Sequence, residues 1–116
     1  MSKILSTSEK KFSAEIGKPL GLDLKLTGHF NMVTVSVGCN IKHETVIEKR
    51  VYIYEDYTDV DVLNIDAIIE TDAPPTYEGK LLTVEWFMTI ETGHETESFD
   101  FTVYPYHHNK YHESIK

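Results

Sequence analysis

Side chains alternate with a period of two through most of this chain, which restricts it to sheet. Leu20, Leu22, Leu24 and Leu26 are separated by Gly21, Asp23 and Lys25, and Val33, Val35, Val37 and Cys39 by Thr34, Ser36 and Gly38. Successive residues of a strand point to opposite faces, so each set marks a strand with one face in a core. Thr27 and Gly28 read as the turn between these strands, and the polar run 40–45 as the next turn. Residues 46–54 read as a strand with Val51 and Ile53 on one face and Tyr52 and Tyr54 on the other. The acidic run 55–61 reads as a connection to a further strand in which Leu63, Ile65, Ala67 and Ile69 share one parity.

The clearest local signal lies further on. Leu82, Val84, Trp86, Met88 and Ile90 share one parity, with Thr83, Glu85, Phe87, Thr89 and Glu91 on the other. Gly93 and His94 then turn the chain into the alternating segment 96–103, so 82–91 and 96–103 read as a hairpin. Trp86 has inward parity and reads as a core anchor. With a short strand near 12–16, the pattern gives about seven strands, and no stretch has room for the crossover helices of a parallel sheet. Val, Ile, Tyr, Phe, Trp and Thr supply 44 of the 116 residues, a composition that favours strand. The expected fold is all-β: one domain over 1–116, a two-layer antiparallel β-sandwich, with a barrel as the alternative. Residues 105–116 form a polar tail rich in His and Tyr.

Charge narrows the partners. Residues 1–54 carry 8 basic and 5 acidic side chains, a net +3, and residues 55–116 carry 3 and 14, a net −11, which together give the chain's −8. Phosphate-backbone binding needs a basic footprint, so nucleic acid is not an expected partner, and an anionic membrane surface is disfavoured alike. No run of apolar residues is long enough to span a bilayer, and the first residues lack a signal-type apolar segment, so the expected location is cytoplasmic. The single cysteine, Cys39, has no partner for a disulfide within the chain and falls on inward parity, as a small core residue.

Sites of chemistry are sparse. His107, His108 and His112 gather in the tail beside Glu113, and a helix there would set His108 and His112 on one face at a metal-holding spacing. No rigid element or HExxH pattern accompanies them, and a solvated tail is the expectation. Glu55, Asp56, Asp59 and Asp61 concentrate carboxylates without the glycine or terminal glutamate of an EF-hand loop, so a solvated segment is expected rather than a calcium site. Ser98, His94 and Asp100 are close in sequence, yet alternation puts Ser98 and Asp100 on the solvent side of one strand and His94 in a turn. There is no nucleophile elbow and no glycine-rich phosphate loop. No catalytic residue, cofactor or metal is therefore expected. The surplus lies in aromatics on outward parity, Tyr52, Tyr54 and Phe87 foremost, which suits a contact with another protein or stacking on a sugar.

The stretch PPTYEGKLLTVEW over residues 74–86 resembles arrestin-like domains, including the bacterial sporulation-control proteins. In these a proline-containing turn leads through Y-x-G into a long strand of V-x-W or V-x-Y type. The resemblance implies an immunoglobulin-like sandwich acting as a scaffold or adaptor without catalysis, and it carries no site residue. Arrestin-like proteins usually have two such domains, and this chain has room for one. The expected function is a non-catalytic interaction module that binds a protein partner or a second copy through a sheet edge or the face of Tyr52, Tyr54 and Phe87. The alternatives are a small-ligand or carbohydrate module using the tyrosines and a metal-dependent protein using His107, His108 and His112.

Overall fold

A computed structural model describes residues 4–5 and 12–105 of the chain. They form an all-β domain whose six strands make one curled, half-barrel sheet: β1 (Ser13–Glu15), β2 (Leu22–His43), β3 (Val46–Ile65), β4 (Tyr77–Glu78), β5 (Thr83–Glu91) and β6 (Thr96–Tyr104). The order across the sheet is β1, β6, β5, β2, β3, with β4 paired to the start of β5. All neighbours are antiparallel except β1 and β6. Among the described residues no helix is long and apolar enough to cross a membrane.

The hairpin expected over 82–91 and 96–103 forms as β5 and β6, with Trp86 opposite Phe101 and Glu91 opposite Thr96. Its turn is closed by Thr92, whose amide donates to the Glu95 carbonyl at 2.8 Å and whose Oγ1 accepts from the Glu95 amide at 3.1 Å. Trp86 is 1% exposed, and its Nε1–H donates to the Pro74 carbonyl at 2.8 Å. A buried indole needs a partner for its one donor, and here that partner fixes the proline turn ahead of β4. Thr76 continues the anchoring: its amide donates to the Val103 carbonyl at 2.9 Å and its Oγ1 accepts from the Val103 amide at 2.8 Å.

The two longest strands differ from the sequence expectation. Thr27 and Gly28 do not reverse the chain, and 55–61 is not a loop. β2 and β3 each run straight through, joined only by Glu44 and Thr45, with Glu44 at φ 56. The register explains both differences. Lys25 is opposite Val62, but the next pair is Phe30 with Val60, so β2 bulges between them. That irregularity moves the inward set from the even leucines through Leu26 to the odd series starting at Val33. A change of parity can mark a bulge within one strand as well as a turn between two. Glu55 and Asp56 join the ladder, opposite Val35 and Thr34, because β3 lies at the sheet margin, where carboxylates stay hydrated. Asp56, for example, accepts from Thr34 Oγ1 at 2.7 Å.

Curling draws the two ends of the sheet together. After β1 the Ile16 amide donates to the Tyr104 carbonyl, and the chain turns at Gly17, whose φ of 87 suits glycine. The Gly17 and Leu20 amides then donate to the carbonyls of Ile69 and Ala67, beyond the end of β3, and Pro19 bridges Ile68. Leu5 bridges Leu26 on the first part of β2. Inside the curl the alternating residues of β2, β3, β5 and β6 meet Ile4, Leu5, Ile16 and Ile69 in one core. Cys39 lies within it, as its parity suggests.

Candidate interaction surface

In an antiparallel sheet, residues directly opposite one another share a face. Val37 faces inward with Ile53 on one side and Met88 on the other, and all three are buried. The next position outward is Ser36, between Tyr54 and Thr89. On the other side of Val37 the outward row is Gly38, between Val51 and Phe87. Small residues on the central strand thus leave Val51 and Tyr54 on one side of a shallow floor and Phe87 on the other. Tyr54 is 68% exposed and Val51 52%. Phe87 is half-buried, and the Lys49 ammonium lies 5.4 Å from its ring centroid, in cation–π range.

Tyr52 does not join them. Between the pairs Val37 with Ile53 and Gly38 with Val51, β3 holds one residue more than β2, and that residue is Tyr52. The bulge resets alternation, so Val51 faces solvent while Ile53 is buried, contrary to the shared face expected from spacing. Tyr52 packs half-buried against the core, its ring 5.3 Å from that of Trp86. Its hydroxyl accepts from Arg50 Nη1 at 3.4 Å, and Arg50 Nε donates to Glu48. Gly38 permits this arrangement. A Cβ there would collide with the Arg50 carbonyl oxygen, with the carbonyl carbon and Val51 Cα at 3.2 Å, so the peptide beside the bulge lies directly on the glycine.

The other nominated groups are dispersed. Ser98 and Thr89 hydroxyls meet at 2.9 Å on the outer face, Asp100 is opposite Phe87, and His94 sits in the turn after Thr92. The three do not form a constellation. Among the described residues no group of three His, Cys, Asp or Glu side chains is placed to hold a metal ion. His107, His108 and His112 lie outside the described residues. Burial pushes the Cys39 thiol above its ordinary pKa, against the lowering charge of Arg50, which leaves a poor nucleophile. Tyr57 is pushed up to about 12, first by burial, then by the hydrogen bond its hydroxyl donates to Glu55, and by the charges of Glu55 and Asp66.

Two surface features remain. The first is β3 itself. It is the last strand in the sheet, and among the described residues only β2 pairs with its 46–65 span. Val46, Ile47, Val51, Tyr54 and Val62, all exposed, lie along it. Alternation does not reveal this edge, because the acidic run 55–61 interrupts the apolar pattern along the strand. The second is an open, mostly apolar groove of about 600 Å³ beside the proline turn, lined by Pro74, Pro75, Tyr77, Leu81, Leu82 and Val84 together with Lys80. The sequence marks that segment only through its prolines. In comparisons with known proteins, no family model and no curated protein matches the chain.

Proposed function

We propose that this chain is a non-catalytic protein-interaction module that binds an extended segment of another chain along the free edge of β3 and the adjoining outer face of Val51, Tyr54 and Phe87. One observation carries the reading: exposed apolar side chains are concentrated on the strand whose outer backbone edge has no strand paired to it among the described residues. An edge of that kind offers main-chain hydrogen bonds for affinity and alternate side chains for specificity. The arrestin-like resemblance over 74–86, with the immunoglobulin-like sandwich and adaptor role it implies, points the same way, and a cytoplasmic setting suits the one free thiol. A displayed library of extended peptides, selected on the intact domain, tests it. Selected peptides should lose at least about tenfold in affinity against Val51→Lys and Tyr54→Lys, given what single interface anchors contribute. Binders indifferent to both substitutions would place recognition elsewhere.

A second reading has its own support. The groove at Pro74, Tyr77 and Leu82 falls in the size range of small-ligand sites and is mostly apolar. It favours a small apolar ligand over a sugar, because Tyr52, Tyr54 and Phe87 do not share a cleft. Fluorescent apolar probes displaced by Leu82→Lys would favour it.

A further inference from the structure

We propose that the partner of the β3 edge is a second copy of this chain, paired antiparallel about a two-fold axis that passes beside Tyr52 and Ile53. The inference rests on the reading of β3 as an interaction surface and specifies what occupies it.

A two-fold axis perpendicular to the sheet keeps each residue on its own face, so only residues of like face can become partners across the new edge. In a regular strand that condition excludes any centre lying between two residues. The bulge removes the exclusion here. Residues placed symmetrically about Tyr52 and Ile53 share a face: Val51 and Tyr54 outward, opposite Gly38 and Ser36; Arg50 and Glu55 inward, opposite Cys39 and Val35; Lys49 and Asp56 outward, opposite Asn40 and Thr34. Pairing about that centre therefore sets Val51 beside Tyr54, Arg50 beside Glu55 and Lys49 beside Asp56. Symmetry repeats each pair.

The chemistry of these pairs matches. Two opposite-charge pairs flank one apolar pair on each side of the axis. The neighbouring same-face registers lack this. Sliding the copies two residues one way brings Glu48 against Glu55, like charges directly opposed, and sliding them the other way sets Lys49 against Thr58 and Arg50 against Tyr57, which leaves both cations without a carboxylate. Charges on an edge ordinarily protect it from pairing. On β3 they repel in one displaced register, go unmatched in the other and match in one. Arg50 hydrogen-bonds only residues of its own strand, Glu48 and Tyr52, so turning toward Glu55 of a second copy breaks no contact to β2.

Sedimentation equilibrium of the full chain over a micromolar series, at low and at high salt, is the first test. The inference expects a dimer that weakens as salt rises, and a single 13.3 kDa species throughout would overturn it. The second test uses two charge swaps. K49E/R50E and E55K/D56K each set like charges opposite one another in their own homodimer and should each raise the dimer dissociation constant by about tenfold or more. Mixed together, all the swapped pairs become complementary, and a one-to-one heterodimer should return. Circular dichroism of each variant confirms that it is folded. A dimer indifferent to the swaps, or a mixture of folded variants that stays monomeric, would refute this register and partner. If peptides selected on the domain still depend on Val51 and Tyr54 in that case, the β3 edge remains the binding surface and only the second copy is rejected.

Discussion

Adding a single methyl group at Gly38 tests the bulge on which the arrangement of β3 depends. The Cβ of Gly38→Ala would fall inside the van der Waals envelope of the Arg50 carbonyl oxygen, with two further backbone atoms at 3.2 Å. Backbone cannot rotate away as a flexible side chain can, so the Arg50 peptide must shift or the bulge must open. Forcing an extra methyl group into packed structure costs about 1–3 kcal/mol. Restricting the unfolded chain returns about 0.4–1 kcal/mol for a glycine replaced at an ordinary φ. The net expectation is a loss of about 1–2 kcal/mol, which at a typical urea dependence lowers the midpoint by roughly 0.5–1 M. Urea unfolding followed by Trp86 emission reads it directly and adds a second signal, because opening the bulge would move Tyr52 away from the indole. Gly93→Ala is the control: nothing lies within 4 Å of its added Cβ, and its midpoint should hardly change. If Gly38→Ala proves as stable as the parent, the close approach at the bulge is wrong, and with it the separation of Tyr52 from Tyr54.

Two further outcomes follow from side-chain environments. Trp86→Ala should cost about 3–5 kcal/mol, whereas Trp86→Phe keeps most of the burial, strands the Pro74 carbonyl and should cost about 1–3 kcal/mol, both measured by denaturant unfolding. Tyr57 should titrate near 12 against an ordinary 10.0, read as the difference in phenolate absorbance between the parent and Tyr57→Phe in an alkaline titration. A raised folded-state value means its contribution to stability is intact below pH 10 and is lost as pH rises through 10 to 12. Tyr57→Phe should remove that part of the alkaline loss.

Much of the fold was legible because burial on one face writes a period of two into the sequence. The β5–β6 hairpin, the inward Trp86 and the core position of Cys39 all came from parity that no bulge interrupts. In β2 and β3 parity breaks without a turn. Between Leu26 and Val33, and between Val51 and Ile53, the chain keeps its direction while side chains change face, and neither the longer bulge of β2 nor the single extra residue of β3 carries a compositional mark. The run Glu55, Asp56, Asp59 and Asp61 looked like a loop because carboxylates are rare inside sheets, yet on a marginal strand their hydration is kept. β4 was missed because two residues between a proline turn and a glycine are too short to alternate. For the candidate surface the sequence supplied Tyr54 and Phe87 on outward parity. It could not supply the free edge, since strand order depends on which long-range pairs form.

The division of charge along the chain acquires a location in this fold. The boundary between the weakly basic residues 1–54 and the acidic residues 55–116 falls inside β3, just past its bulge. A solvated surface whose charges serve only solubility would gain nothing from placing that boundary within an edge strand. An antiparallel pair of such strands brings each basic start against an acidic end. Opposed side chains in a ladder lie about 5 Å apart, inside the screening length of about 8 Å at physiological salt, so the attraction survives there in part. Exposed ion pairs contribute little energy each and do not hold two copies together unaided. In the proposed dimer their role is to select the register, and backbone pairing with the burial of Val51 against Tyr54 supplies the affinity. That division gives a specific expectation: Lys49→Ala with Arg50→Ala should weaken association less than Val51→Lys does, because removing an attraction costs less than burying an uncompensated charge.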